Sequence, residues 1–473
     1  MNYYKVCFNK LKQLIGIEVS VMVKENSVNN GLMTEGSILK QLVNFSLPLL
    51  LGNLFQQLYN TADAVIVGNF VGNDALAAVN SSGPIINLLV SLFMGIAIGG
   101  SVIISQHFGA QNKEKLHDAV HTTVALGIVG GALMTIVGIF FSSDILRMMG
   151  TPEDIIDQST LYLQIYFAGV LGIVIYNLCS GILRAVGDSK RPLYFLIVSS
   201  VINIVLDLLF VAVLDMGVAG VAIATLIAQV VSAILTVYVL VKTKEDYRII
   251  IKDIKFHKEQ LIKIIKIGLP SGIQNAIVSF SNVVVQSNIN NFGTLAMAGC
   301  GSYTKLDGFA ILPVMSFSMA LTTFTGQNIG AEKYDRVKKG SKTGMLLSVG
   351  TTVVISTLLL ISGPHILRIF SDDAEVISYG VLMMKFLAPC YIFLAITHSL
   401  SGVLRGAGVT TVPMIVMVCC WCFLRMLWIL TLIPIYNDIR IVFLGYSVTW
   451  FASAVLLFIY YKKSDWLNYS KKL

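Results

Sequence analysis

Long apolar runs separated by short polar segments make up most of the chain. Each run holds about 20 residues, the length that a helix needs to cross a bilayer. The runs are continuously apolar and do not alternate, which favours helices over the strands of a membrane barrel. The pattern predicts an all-α membrane protein with twelve spans, near residues 42–67, 81–104, 119–141, 160–180, 193–214, 217–241, 262–290, 302–325, 343–366, 376–400, 412–433 and 440–461.

Lysine and arginine residues are divided unequally between alternate loops. One side carries 28 of the 34, and the other carries only Arg147, Arg368 and Arg440. Positive residues are retained on the cytoplasmic side during membrane insertion. We therefore expect a multi-pass protein of a bacterial plasma (inner) membrane, with both termini in the cytoplasm.

The chain repeats itself at a constant offset of 221 residues. Residues 106–110 align with 327–331, and 181–184 align with 402–405. A fixed offset across separate loops indicates an internal duplication, and each copy holds six spans, which predicts two pseudo-symmetric six-helix bundles around a cavity. The predicted organisation is a cytoplasmic segment 1–40, a first lobe 41–242, a basic linker 243–261, a second lobe 262–461 and a cytoplasmic tail 462–473.

Composition and motifs exclude several classes of function. Charged residues make up 13% of the chain, against about 25% in a soluble domain. The net charge of +8 is explained by the cytoplasmic loops, so we expect no nucleic-acid partner. Neither a phosphate-binding loop nor a nucleophile motif is present, which argues against an enzyme and against any cofactor. We assign no metal site, because the six histidines show no recognised metal spacing.

Small residues and one histidine within a predicted span are interpreted as packing features. Gly95 and Gly99, like Gly127 and Gly131, have the four-residue spacing typical of close helix contacts. His398 lies alone in an apolar span, where a packing role is more common than ligation.

Polar side chains line one face of the first span. Residues three or four apart share a helix face, and the set here is Asn53, Gln56, Gln57, Asn60 and Asp63. Such residues can simply hydrogen-bond to neighbouring helices. Five in one stripe, including an acid, favour a face that lines a water-filled cavity.

The fifth span repeats this pattern with Ser199, Asn203 and Asp207. A carboxyl group near mid-membrane favours its protonated form or a cationic partner, so Asp207 can exchange protons. Asn203 and Thr225 add neutral oxygens that would complete a shell of hard ligands for Na⁺. Both H⁺ and Na⁺ remain open as the coupling ion.

The second copy carries a matching stripe without an acid: Asn275, Ser279, Asn282, Gln286 and Asn290. Asp307 is the only acid well inside the second bundle, and Lys305 stands two residues away. We expect these two charges to neutralise each other, or Asp307 to lie at the end of its helix.

These residues resemble the multidrug and toxic compound extrusion family over essentially all of positions 37–461. The motifs that carry the resemblance are Leu47-Pro48-Leu49, Thr61-Ala62-Asp63 followed by Gly68, the turns at Gln106 and Gln327, Leu183 to Asp188, and Lys305 to Phe309 followed by Gly326-Gln327-Asn328. The last of these is similar to the branch related to staphylococcal and clostridial drug exporters.

The resemblance implies cation-coupled efflux, with the ion bound in the first lobe by Asp63, Asn203, Asp207 and Thr225. The glutamate that another branch carries in the seventh span is missing, because residues 274–278 here read Gln-Asn-Ala-Ile-Val. Coupling through the second lobe is therefore not implied.

Together these observations predict a secondary active multidrug transporter that exchanges organic cations for H⁺ or Na⁺ by alternating access. The expected partners are small organic cations and the lipid bilayer, and we expect the monomer to function. The cavity is predicted to be lined by Gln56, Gln57, Asn60, Asn275, Asn282 and Gln286. A lipid-linked oligosaccharide flippase of the same architecture is the alternative, although such a cavity often carries cationic residues where this one carries acids.

Overall fold

The computed structural model describes residues 31–70 and 73–470, and its regular elements there are helices. Twelve stretches among these residues are long and apolar enough to cross a membrane, so the predicted all-α class with twelve spans is confirmed. The helices are α1 Ile38–Phe70, α2 Asn73–Gly109, α3 Lys113–Met148, α4 Glu153–Ala185, α5 Lys190–Asp207, α6 Gly217–Lys242, α7 Lys258–Asn290, α8 Thr294–Ala310, α9 Leu312–Gly330, α10 Tyr334–Leu367, α11 Ala374–Leu387, α12 Tyr391–Gly406, α13 Thr411–Met417, α14 Arg425–Tyr436, α15 Ile439–Lys463 and α16 Trp466–Ser470.

Many helices are longer than the predicted spans, because they continue past the apolar part into the flanking polar segments. α2 has 37 residues and α3 has 36. α3 begins at Lys113, six residues before the predicted start of its span at 119, and the side chain of the preceding Asn112 accepts a hydrogen bond from the backbone N–H of Lys115 at 3.0 Å. Hydropathy marks only the part of a helix that crosses the lipid, and caps mark where the helix ends.

Three spans of the second half are interrupted where the sequence predicts continuous helices. The eighth span breaks at Ile311, between α8 and α9, just before Pro313. The tenth contains a short 3₁₀ segment, Ala388–Cys390, which includes a proline. Proline lacks the N–H that continues a helix, which accounts for both breaks. The eleventh span contains a π-helical segment, Val418–Leu424.

The repeat is visible in the helix register. Four pairs of equivalent helices begin 221 residues apart, at Asn73 and Thr294, Lys113 and Tyr334, Glu153 and Ala374, and Lys190 and Thr411. Each half encloses its own apolar core: one around Ile182 and Leu183, the other around Leu387 and Phe443.

The two halves meet through closely packed backbones. A Cβ atom on Gly95 would lie 2.3 Å from the backbone N of Gly272, and one on Gly99 would lie 2.3 Å from the carbonyl oxygen of Ile264. Helices α2 and α7 therefore touch backbone to backbone, as the spacing of these glycines predicts. Gly127 and Gly131 likewise pack closely, against leucines of α4.

A pair of glutamines crosses this contact with twofold pseudo-symmetry. Gln106 donates from Nε2 to the carbonyl oxygen of Gly406 at 3.0 Å, and Gln327 donates from Nε2 to that of Ala185 at 2.9 Å. Both glutamines and both acceptors are 221 residues apart. The repeated glutamine motif therefore joins each half to a helix end of the other, at the end of the molecule that carries the basic loops.

Residues 31–37, which precede α1, lie across the same contact and are called the strap below. The backbone N–H of Met33 donates to Oε1 of Gln327 at 2.7 Å. Arg336 donates to carbonyl oxygens of Met33, Glu35 and Gly36 at 3.2, 2.9 and 2.9 Å. The Met33 side chain is 5% exposed and packs among residues of both halves. The strap therefore adds to the contact between the halves at their basic end.

Candidate cation site and polar cavity

Helices α5 and α6 bring three predicted site residues together inside the first half. Asn203 and Asp207 are four residues apart on α5 and so share a face. Both side chains are 0% exposed, and Thr225 on α6 is 7% exposed. Nδ2 of Asn203 lies 3.5 Å from Oγ1 of Thr225. The structure thus encloses a carboxylate, an amide and a hydroxyl between two apolar helices.

The amide oxygen of Asn203 is oriented to accept a further partner. Among the residues that the structure describes, no donor lies within hydrogen-bonding distance of Oδ1. Leaving a buried acceptor unmatched costs about 1–3 kcal/mol, which a bound cation would recover. Amide, hydroxyl and carboxylate oxygens are the hard donors that alkali and alkaline-earth cations accept, and a carboxylate alone can hold a proton.

The helical geometry changes at this point of α5. The α-helix ends at Asp207 and continues as a π-helical segment, Leu208–Val213. Such segments are uncommon and recur at functional sites, because they re-aim side chains and loosen the backbone hydrogen bonds. The sequence does not indicate this change, since the apolar run continues through it.

Helix α1 approaches the same region. Ile66 packs with Val211 and Val218 in one apolar cluster. Ile66 lies one turn after Asp63, and Val211 lies one turn after Asp207. The side chains of Asp63 and Asn60 are outside the described residues, so only the backbone course of α1 bears on these two predictions.

Two residues of the α1 stripe face the second half. Nδ2 of Asn53 lies 3.3 Å from Oγ of Ser316 on α9. Gln57 lies beside α8, with its Nε2 3.2 Å from the position of a Cβ on Gly308. Gln56 is exposed. Asn53 and Gln57 therefore lie at the interface between the halves.

The second stripe, on α7, is less enclosed. Asn275 is half-buried and Asn282 is exposed. Oδ1 of Asn282 lies 3.4 Å from Nη1 of Arg425. Gln286, also half-buried, donates to Oδ1 of Asn290 at 2.9 Å.

Asp307 lies in the last turn of α8, as one of the two expectations for it states. The other expectation, neutralisation by Lys305, is wrong. Asp307 accepts a hydrogen bond from the hydroxyl of Tyr391, which also meets the hydroxyl of Tyr303 at 2.7 Å. Nζ of Lys305 lies 5.5 Å from the ring centre of Phe370.

Arg425 falls within the predicted span 412–433, and the structure shows a buried guanidinium there. Its side chain is 1% exposed. Nη2 donates to Oγ1 of Thr449 at 3.1 Å, and the guanidinium carbon lies 4.3 Å from the ring centre of Tyr446. The second half therefore has a buried positive charge near its polar stripe.

The histidines behave in two ways. His398 is 7% exposed and packs edge-on against Trp421 with ring centres 5.6 Å apart, which confirms its packing role. His117 and His121, in contrast, lie close to Asp253, and one possible ligand atom from each of the three residues lies within 4.8 Å of the others. The sequence predicts no metal site, and it does not bring these three residues together.

A family of known proteins matches each half of the internal repeat separately. The MatE family model matches residues 48–209 and again residues 270–430, one match for each half. The chain belongs to the MatE family. The resemblance that the motifs indicate is therefore confirmed, and this MATE protein is a transporter and not an enzyme.

Relatives and solved structures agree with this assignment. The probable multidrug resistance protein YoeA of Bacillus subtilis (strain 168) is 30% identical over 442 residues, covering 90% of this chain and 94% of the relative. The multidrug export protein MepA of Staphylococcus aureus (strain MSSA476) is 23% identical over 372 residues, covering 78% of this chain and 82% of the relative.

A solved structure described as the outward-facing conformation of a multidrug resistance MATE family transporter superposes with a TM-score of 0.88. It is 23% identical and covers 95% of this chain and all of that one. At that identity the likeness establishes the shared fold.

Proposed function

We propose that this MATE transporter is a secondary active multidrug exporter that exchanges organic cations for H⁺ or Na⁺ by alternating access. The names of its relatives support export of drugs, and the two-lobed architecture supports alternating access. The proposed lobes are residues 41–242 and 262–461, with the basic linker 243–261 between them.

The buried cluster of Asn203, Asp207 and Thr225 carries this proposal. An ionisable residue inside a membrane protein is expensive to bury and usually marks an ion or proton pathway. Here it adjoins an amide oxygen without a donor among the described residues. A proton carried by Asp207, or a bound Na⁺, would supply the partner that the amide oxygen of Asn203 lacks among the described residues, so occupation of the site would lower the free energy of this lobe.

Asp63 is proposed to share the site with Asp207. Its register on α1 places it one turn before Ile66, which belongs to the same apolar cluster as Val211, itself one turn beyond Asp207. Two acids in one site would titrate as a coupled pair. Bound substrate and bound ion would then exclude each other, so each drives release of the other.

The transported compounds are proposed to be organic cations with aromatic rings. The first lobe contributes acids but no lysine or arginine from within its spans. Amide side chains along the interface supply neutral hydrogen-bonding groups around such a ligand, from the proposed cavity residues Gln56, Gln57, Asn60, Asn275, Asn282 and Gln286.

Electrical balance constrains the stoichiometry. One charge moving through 100 mV releases about 2.3 kcal/mol. Exchange of a monovalent cation for one proton or one Na⁺ cancels this contribution and leaves only the chemical gradient. Two neighbouring acids would allow a second ion in each cycle, which restores an electrical driving force.

Orientation follows from the basic loops. We propose that both termini face the cytoplasm of a bacterial cell and that the strap and the glutamine pair close the cytoplasmic side. The cavity of this state would then open outward, the side on which an exporter releases its substrate. The monomer contains every proposed ligand, so we propose that it functions alone.

Efflux of an aromatic cationic dye from cells tests the proposal. The proton and Na⁺ gradients are collapsed separately with selective ionophores. Loss of efflux with one of the two ionophores is expected, and it would identify the coupling ion. Efflux that survives collapse of both gradients would contradict the proposal, and transfer of a lipid-linked precursor without dye efflux would indicate a flippase.

A further inference from the structure

Residues 243–257 of the linker, which precede α7, lie against the beginning of α3. The backbone N–H of Ile250 donates to Nε2 of His121 at 2.9 Å, and that of His257 donates to Oγ1 of Thr122 at 3.1 Å. Asp246 pairs with Lys113 at 3.2 Å. Side chains of α3 therefore hold the linker at three points.

Two histidines and one aspartate converge at the centre of this contact. His117 and His121 are one helical turn apart, with ring centres 4.0 Å from each other. Nε2 of His117 lies 3.4 Å from Oδ2 of Asp253, which belongs to the linker. One ligand atom from each of the three residues lies within 4.8 Å of the others.

These separations suit a tetrahedral metal ion. Ligands at about 2.0–2.1 Å from zinc lie roughly 3.3 Å from each other. The pair formed by His117 and Asp253 already has that separation. The remaining separations are at most 4.8 Å and need to shorten by up to about 1.5 Å, which side-chain rotation supplies, and water would fill the fourth position.

Neighbouring groups orient both imidazole rings. Nδ1 of His121 lies 2.7 Å from the carbonyl oxygen of His117, which places the proton on Nδ1 and leaves the lone pair on Nε2, where it accepts the N–H of Ile250. Oδ1 of Asp118 lies 3.8 Å from Nδ1 of His117. A carboxylate or carbonyl behind each imidazole is the usual support of a metal-ligating histidine.

The site is open to the aqueous phase. The side chains of His117 and Asp253 are 32% and 44% exposed. Two imidazoles and one carboxylate form a borderline donor set that suits Zn²⁺, Co²⁺ or Ni²⁺ better than Ca²⁺ or Mg²⁺.

We propose that His117, His121 and Asp253 bind one divalent transition-metal ion and thereby fasten the linker to the first half. The ion would take the lone pair of His121 that now accepts the N–H of Ile250. Since the linker leads directly into α7 at Lys258, bound metal would restrict movement of α7 relative to α3. The inference is independent of which ion drives transport.

Co²⁺ binding to the purified full-length transporter tests the site. The sample is prepared without a polyhistidine tag. Binding is followed by the visible absorption of tetrahedral Co²⁺ and by calorimetry with Zn²⁺. We expect one saturable site per chain. His117→Gln and Asp253→Asn should each lower the affinity at least tenfold, since even outer-shell changes typically have effects of ten- to a hundredfold.

Two matched variants control for charge and for folding. His257→Gln removes another histidine beside Asp118, and Asp246→Asn removes another linker acid, and both should bind like the unsubstituted protein. The metal-free variants should elute and melt alike. Absence of saturable binding, equal affinity in all four variants, or the charge-transfer band of thiolate ligands would overturn the proposal.

Discussion

The two cross-contact glutamines offer a matched test of what holds the basic end closed. Gln106 and Gln327 occupy equivalent positions of the repeat and bond to equivalent carbonyl oxygens at 3.0 and 2.9 Å. Gln327 also accepts the N–H of Met33 at 2.7 Å. Methionine at either position keeps the length of the side chain and removes its amide, so the pair differs only in what each amide binds.

The expected effects follow from the number of bonds lost. A buried carbonyl oxygen without a donor costs about 1–3 kcal/mol. Gln106→Met leaves one such oxygen. Gln327→Met leaves one such oxygen and also leaves the N–H of Met33 without an acceptor, for about 2–6 kcal/mol in total. At about 1.4 kcal/mol per factor of ten, Gln106→Met should raise the ratio of open to closed molecules about five- to a hundredfold, and Gln327→Met should raise it further.

Spin-label distances across the basic end measure this ratio. Labels at Glu114 and Asp335, which are both exposed and 221 residues apart, report the separation of the two halves after the native cysteines are replaced. The fraction of molecules with a longer distance between the two labels should rise in both variants, and it should rise more in Gln327→Met. Equal shifts, or the larger shift in Gln106→Met, would refute the role assigned to the strap.

Three further predictions concern orientation and packing. Cysteine at Asp372 should react with an impermeant reagent outside intact cells and cysteine at Lys255 should not; the reverse would invert the topology. Gly95→Val should lower the melting temperature, because its side chain would meet the backbone of α7 and overpacking costs about 1–3 kcal/mol; an unchanged melting temperature would contradict that contact. Arg336→Lys should speed amide exchange in the strap, since lysine cannot reproduce the fork of donors; unaltered exchange would show that Arg336 does not hold it.

The fold was predictable because hydropathy and the repeat are properties of the chain itself. The helix breaks in the second half were harder to predict from the sequence. Pro313 and the proline of the 3₁₀ segment were visible, but proline also occurs inside continuous helices of this protein, as at Pro48 and Pro270. Whether a helix breaks at proline depends on packing, which the sequence does not display.

Part of the candidate site could likewise be predicted from the sequence, and part could not. Asn203 and Asp207 share a helix face, which their spacing alone predicts. The hydrogen-bond partner of Asp307, in contrast, is Tyr391, which lies far along the chain. Lys305 failed as its partner because residues two apart do not face each other on a helix. His117 and His121 are four residues apart and so share a helix face, but Asp253 joins them only through folding of the linker.

The most direct test of the proposed coupling is transport by purified protein in proteoliposomes under an imposed ion gradient. Asp207→Asn keeps the size of the side chain and removes its ionisation, and Asp307→Asn is the matched change in the second lobe. We expect Asp207→Asn to abolish uphill movement of an aromatic organic cation, Asp63→Asn to do so nearly as completely, and Asp307→Asn to leave substantial transport, with equal incorporation of all proteins. Near wild-type uphill transport by Asp207→Asn would contradict the assigned site, and inactivity of Asp307→Asn alone would place coupling in the second lobe.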